Sequence, residues 1–274
     1  MTHNLLRLTP RAIEKPWGRR DLDPRFGAPP AAKIGEIWFE PPPGLALDVL
    51  AKYLFTSERL SIQVHPDEAT AKARGHAHGK DECWIVLDAQ PGAELGIGTV
   101  RETSPAALLD AVRDGTIEQL IDWRPAHRGQ FIYNPAGTVH AIGPGLTVLE
   151  VQQALDVTYR LYDYGRPREL HLAESRDAVR ARPHWHPADR DIISGDSIIL
   201  VDGPYFGVAW CAGVAPDLPP RARDIQLLPI DASVECAGET IAPGQCAMLS
   251  GEPAGLSSPG AFVLAWSYGQ AERE

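Results

Sequence analysis

Between Leu60 and His65 the chain alternates, reading LSIQVH before Pro66-Asp67. A period of two places Ile62 and Val64 on one face and Ser61, Gln63 and His65 on the other. That predicts a strand whose apolar face packs on a second sheet while its polar face lines a cavity or meets solvent. The runs CWIVLDA, GQFIYNP and LTVLEVQQ are strands by their β-branched and aromatic content. Residues 104–123 read as helical. Ser104 can cap, Pro105 fits the first helical position, and Leu108, Leu109 and Val112 recur at helical spacing. Gly115 breaks this run, and TIEQLIDW predicts a second short helix. Short helices are also expected at the start of 68–80 and within LHLAESRDAVRA. The first 50 residues read as irregular and proline-rich around two apolar stretches. RPHWHPADR, residues 182–190, reads as a boundary, and five strand-like runs follow it. The expected organisation is a domain over residues 1–185, with an N-terminal extension and a helical insert, and a second β domain over 186–274.

Composition adds bounds. With 44% apolar and 23% charged residues over 274 positions, the chain can bury a sizeable core. Twenty-five glycines and 25 prolines suit many turns between short strands better than a helical bundle. A net charge of −10 excludes a general nucleic-acid binder, and it means that an anionic substrate needs a local cluster of Lys or Arg. Four cysteines without a CxxC pair read as reduced thiols. The N-terminus lacks the apolar core of a signal peptide, and no apolar run reaches the ~20 residues of a membrane span, so the expectation is a cytoplasmic protein without a membrane partner.

The candidate chemistry lies in the first two thirds, since all nine histidines occur at or before residue 186. Beside Gln63 and His65 stands Glu82, at the entrance of CWIVLDA. In NPAGTVHAIG, Pro135 and Gly137 fix a turn that presents His140 as the next strand begins. Two imidazoles and a carboxylate, with an open position, suit a catalytic zinc site, although other divalent ions accept the same ligands. Taken singly, Gln63 and His65 equally fit the solvated side of an edge strand, and Glu82 an ordinary surface glutamate.

The Pro-x-Gly-x-x-His turn and QVHPDE resemble the two metal motifs of the cupin barrel. LSIQVHPD, GKDECWIVLDAQPGAELGIG, PAGTVHAIG and DVTYRLYDYGR together resemble the type I mannose-6-phosphate isomerases, in their short bacterial form; EKPWG and IGEIWFE are similar to that family's opening segments. The resemblance covers roughly residues 14–171. It implies an all-β fold: a metal-bearing cupin (jelly-roll) β-barrel with helical insertions, followed by a smaller, degenerate cupin-like β domain without ligands. It implies one zinc ion per chain, or another divalent metal, on Gln63, His65, Glu82 and His140. It further implies an active-site serine at Ser61, a lysine at Lys80, and an acidic pair and arginine at Glu150, Asp156 and Arg160. The implied activity interconverts mannose 6-phosphate and fructose 6-phosphate through an enediolate, with a small-molecule sugar phosphate as partner and the oligomeric state left open. Ser61, Lys80 and Arg160 are then donors to the substrate, and Lys80, Asp156 and Glu150 are candidates for the proton-transferring group. One departure is Ile142, where longer members of the family have a tyrosine. Another sugar-phosphate isomerase or epimerase, or a sugar-binding regulatory cupin, would fit the same scaffold. Strand alternation in DVTYRLYDYGR puts Thr158, Arg160 and Tyr162 on one face and Val157, Tyr159 and Leu161 on the other.

Two further histidine pairs imitate ligands. GHAHG is bounded by glycines and basic residues and reads as a loop without metal; PHWHP lies between prolines at the boundary. Replacing His76 and His78 together by Ala should leave metal content unchanged and turnover within about threefold; a hundredfold fall in turnover would show that this loop closes over the site.

Overall fold

A computed structural model describes residues 4–20, 22–29, 31–192, 195–250 and 255–268. The chain opens with β1 (Asn4–Arg19), β2 (Ile34–Glu40) and β3 (Val49–Phe55). It continues through β4 (Ile62–Val64), α1 (Glu68–Ala73), β5 (Glu82–Ala89), β6 (Glu94–Thr99), α2 (Pro105–Arg113), β7 (Ile121–Pro125), β8 (Gln130–Asn134), β9 (His140–Ile142), β10 (Leu146–Gln153), β11 (Tyr159–Tyr162) and α3 (Leu172–Ala178). After β12 (Arg190–Asp191) come β13 (Ile198–Asp202), β14 (Phe206–Ala212), β15 (Ala222–Pro229), the hairpin β16 (Val234–Cys236) and β17 (Glu239–Ile241), β18 (Cys246–Ser250) and β19 (Ala261–Tyr268). No helix among the described residues is long and apolar enough to cross a membrane.

The chain divides into two compact units. One contains residues 16–18 and 54–190; the other contains 1–15, 19–53 and 191–274. The second boundary falls at the end of RPHWHPADR. The first 53 residues, apart from 16–18, group with the C-terminal strands rather than with the His-bearing segment. Nor are the described residues of this segment irregular throughout, since β1, β2 and the start of β3 lie among them. β1 pairs antiparallel with β2 and with β18, and a register shift after Ile13 absorbs the irregularity that the prolines bring. This unit's strands run β3-β2-β1-β18-β15-β19-β14-β13, over a core that includes Leu227, Phe262, Leu264 and Trp266.

The His-bearing unit has two sheets. β8, β5 and β10 pair in one, and β11-β4-β9-β6-β7 form the other. Trp84, Val86, Ile132, Leu146 and Val148 from the first sheet meet Leu95, Ile97 and Ile142 from the second in one buried cluster. These positions share faces with Glu82, Asn134, Glu150 and His140. The interior is therefore apolar at one end and polar at the other, along the same strands. The outer face of the five-stranded sheet carries Ile62, Val64, Val139, Ala141, Tyr159 and Leu161. It is covered by Leu108, Leu109, Ala111 and Val112 of α2 and Ala178 of α3. The apolar face of LSIQVH thus packs on helices, not on the second sheet expected.

α2 starts as predicted, with Ser104 Oγ accepting from the Ala107 amide. TIEQLIDW does not form a helix: a single 3₁₀ turn, Ile117–Gln119, gives way to β7, whose Trp123 and Arg124 pair with Gly96 and Leu95. Strand pairing here overrides the helical spacing of a short segment.

Gly137 joins these layers. Its amide donates to the His65 carbonyl, its φ is +87°, and an added Cβ would lie 3.1 Å from the Ala178 carbonyl oxygen. Gly115 has φ +71° but open space around it. Gly137→Ala should therefore destabilise the protein by about 2–3 kcal/mol, and Gly115→Ala by only about 1 kcal/mol, read from denaturant melts.

Candidate active site

β4, β5 and β9 converge at the polar end of the interior. Gln63 lies opposite His140 in the antiparallel register, so both side chains leave the same face of their sheet. Glu82 opens β5 on the facing sheet, opposite Asn134 on one side and Gln152 on the other. His65, Glu82 and His140 are all fully buried, and their candidate ligand atoms lie within 4.8 Å of one another. His65 Nε2 is 3.2 Å from Glu82 Oε2, and His140 Nε2 is 3.3 Å from Glu82 Oε1.

The outer nitrogens settle what faces inward. His65 Nδ1–H donates to the Val157 carbonyl and His140 Nδ1–H to the Thr138 carbonyl, each at 2.9 Å. With those protons placed, both Nε2 atoms present lone pairs to the centre. Burial holds both imidazoles neutral. It lowers the His65 pKa to about 3, with the Lys80 ammonium acting in the same direction; the His140 pKa also falls, against the opposing charge of Glu82. Burial would push the Glu82 carboxyl up, but His65, Lys80 and His140 hold it well below the usual carboxylate range. Glu82 Oε1 accepts from Asn134 Nδ2 at 2.9 Å, while Oε2 accepts no hydrogen bond. Two lone pairs and a carboxylate therefore point at one another without protons between them. Such a donor set fits a divalent cation, and a neutral interior leaves it repulsive.

Lys80 is buried beside this cluster, with Nζ 3.2 Å from His65 Nε2 and 3.4 Å from Glu82 Oε2. Gln63 turns its amide nitrogen to His140 Nε2 at 3.2 Å, and its oxygen accepts from Ser61 Oγ at 3.0 Å. In this orientation Gln63 supports the neighbouring ligand; binding a metal itself would need the amide reversed. Glu150 is buried opposite Trp84 and accepts from its indole N–H at 3.2 Å. The Trp84 ring meets His140 edge-on at 5.4 Å and forms the floor under the imidazole. Arg160 lies opposite Gln63 on β11, which puts Arg160, Gln63 and His140 in one row across the sheet. Its Nη1 donates to the Glu169 carbonyl at 2.7 Å. Asp156 stands apart on the exposed loop between β10 and β11, one residue before the carbonyl that holds His65.

The alternation expected across β11 fails at one place. The register passes from Arg160↔Gln63 to Tyr162↔Ile62, so the strand bulges at Leu161. Tyr162 consequently turns toward the helix-covered core instead of sharing the face of Arg160. Sequence reading also missed Asp81. Its buried carboxylate accepts from the Ala136 amide and from Tyr133 Oη, which ties the Pro135–Gly137 turn to the start of β5. Burial raises its pKa. Its place next to Glu82 was the available signal. The other histidine pairs stay outside the cluster. His78 bonds the Gly79 carbonyl, His184 pairs with Asp189, and His186 stacks on Tyr133.

No family model matches the chain. It is 37% identical over 172 residues to the mannose-6-phosphate isomerase of Streptococcus mutans, covering 58% of this chain and 53% of that protein. The chain thus spans about half the length of that relative. It is 31% identical over 252 residues to the probable mannose-6-phosphate isomerase GmuF of Bacillus subtilis, covering 76% and 79% respectively. The crystal structure of a mannose 6-phosphate isomerase from Bacillus subtilis superposes over 95% of this chain and 99% of its own, with TM-score 0.76 and 27% identity. A zinc-bound mannose 6-phosphate isomerase shares the fold at TM-score 0.69 and 14% identity, over 96% of this chain and 99% of its own.

Because the folded His65 pKa lies near 3 and the unfolded value near 6.5, the unfolded chain binds more protons between these values. Stability of the metal-free protein should be full above about pH 6.5 and fall as pH drops toward 3, by up to ~1.4 kcal/mol per pH unit for this group. His65→Gln should flatten that slope in chemical-denaturation curves taken across the window.

Proposed function

The chain belongs to the mannose-6-phosphate isomerase family, and from this premise we propose a zinc-dependent isomerase with one ion per chain, held by His65, Glu82 and His140. The reaction is the interconversion of mannose 6-phosphate and fructose 6-phosphate. The observation that carries the metal reading is the buried meeting of two Nε2 lone pairs with a carboxylate, each imidazole fixed by a carbonyl behind it. Zinc is favoured because the nitrogen and oxygen donors suit it and because the fold recurs in a zinc-bound isomerase.

When bound, the ion supplies Lewis acidity at a substrate oxygen. The protein's own groups do the rest. Lys80, buried beside the ligands, holds the oxygens whose proton must move. Glu150 accepts the carbon-bound proton and returns it to the neighbouring carbon; its face is shared with Glu82, and the Trp84 indole fixes its orientation. Asp156, exposed on its loop, serves this step less well. Arg160, in the row with Gln63 and His140, stabilises the enediolate charge. Ser61 orients the Gln63 amide from the same side of the chain.

A coupled assay with mannose 6-phosphate tests the reading. Chelation should abolish turnover, zinc should restore it, and elemental analysis should give one ion per chain; full activity in metal-free protein would refute it. His140→Ala should lose the metal. Arg160→Ala should keep it and lose about 100-fold or more in kcat, corresponding to the ~3 kcal/mol of a donor to developing negative charge. A raised KM at unchanged kcat would make Arg160 a substrate clamp instead.

A further inference from the structure

β11 is the end strand of its five-stranded sheet, four residues long, with a bulge at Leu161 directly after Arg160. A strand this short, paired on one side only, is held by few bonds. In an antiparallel ladder the N–H and C=O of one residue point to the same side. Both groups of Arg160 turn away from β4, to the side where an end strand has no neighbour to bond. A single residue fills that place. The Arg160 amide donates to His171 Nδ1 at 3.1 Å, and the His171 amide donates to the Arg160 carbonyl at 2.8 Å. The same segment grips the side chain, since Arg160 Nη1 donates to the Glu169 carbonyl at 2.7 Å. Residues 169–171 thus hold both the backbone and the guanidinium of Arg160.

His171 stands at the N-cap of α3, where its carbonyl accepts from the Ser175 amide at 2.8 Å. A Ser, Thr, Asp or Asn side chain at this place would bond the free amides of the first turn. The imidazole makes no such bond and is directed to β11 instead. Accepting at Nδ1 requires its proton on Nε2, the neutral tautomer. The residue is anchored in turn, because Ser175 and Ala178 of α3 are buried and Ala178 packs on the apolar back of the sheet. The helix that covers the back of β11 therefore also fixes a residue of the opposite face. Arg160 Nε is buried and makes no hydrogen bond, so the grip leaves one donor of the guanidinium without an acceptor in the protein.

We propose that His171 is a positioning residue for the isomerisation: by accepting from the Arg160 amide it fixes the arginine where its guanidinium meets the enediolate. This deepens the isomerase reading and rests on it for the task of Arg160. The imidazole acts through Arg160 and not on the substrate itself. A donor to developing charge is sensitive to its place, and a displacement of about 1 Å can cost ~100-fold in rate. The loss falls on kcat, since the ground state carries no such charge.

The test uses the zinc-loaded, full-length protein. His171→Ala should lower kcat about tenfold, keep KM within about threefold, and leave zinc content unaltered. His171→Asn places Oδ1 where Nδ1 stands and should recover most of the loss. His171→Ser can cap α3 but is too short to reach the Arg160 amide; it should keep the melting temperature of the wild type and the low kcat of the alanine variant. In an Arg160→Ala background, His171→Ala should lower kcat further by less than about twofold, because its effect runs through the arginine. Wild-type kcat in His171→Ser, no recovery with asparagine, or the same loss in both backgrounds would overturn the proposal. If the alanine variant does not fold, the serine variant takes its place in every comparison. If the wild type does not isomerise mannose 6-phosphate, the isomerase reading fails, and the rate at which phenylglyoxal modifies Arg160, read by peptide mass spectrometry, judges the grip. Faster modification in His171→Ser than in wild type and His171→Asn supports it, and equal rates overturn it.

Discussion

The structure turns on a repulsion. His65, His140 and Glu82 are buried with their acceptor atoms directed at one another, and the protons that could separate them are committed to the Val157 and Thr138 carbonyls behind the rings. Burying such a set costs free energy, which the Lys80 ammonium at His65 Nε2 and the Gln63 amide at His140 Nε2 offset only in part. The surrounding architecture holds it in place. Asn134 and Lys80 restrain the carboxylate, Trp84 backs one imidazole, and the Asp81 link fixes the turn that aims it. Each is a feature that a merely apolar barrel interior would not need.

The two sheets divide the work unequally. The β8-β5-β10 sheet contributes carboxylates and their supports, since Glu82, Asn134 and Glu150 share its inner face. The five-stranded sheet contributes imidazoles and cations, with His140, Gln63 and Arg160 in register across neighbouring strands. Carboxylates thus face neutral imidazoles across the interior, and α2 and α3 lie outside it, on the apolar backs of β4, β9 and β11. Short strands suffice for this because register, rather than strand length, sets which side chains meet.

Much of this was legible before the fold was seen. The period of two in LSIQVH and the proline–glycine turn before His140 are local signals, and local sterics carry them into three dimensions. What escaped was non-local. The N-terminal prolines suggested irregularity, yet β1 runs from Asn4 to Arg19 because β2 and β18 supply partners that a single segment cannot reveal. TIEQLIDW has helical spacing, but β6 claims its second half as a strand. The inward position of Glu150 could not be separated from an ordinary strand glutamate until β5 and β10 were paired. The face of Tyr162 was misread because a bulge depends on the neighbouring strand and leaves no mark in residue type.

That bulge is a phase shift in the chain's alternation, and it sets what kinds of genetic change the site tolerates. A point substitution near Leu161 alters one contact. Inserting one residue after Leu161 would exchange inside for outside for whatever follows on the strand, whereas deleting Leu161 would remove the bulge and leave both faces as they are. With the insertion, Tyr162 would turn away from the helix-covered core and into the cavity. Insertions should therefore be rarer between 160 and 162 than changes of identity. Among relatives, the constant quantity would be a spacing.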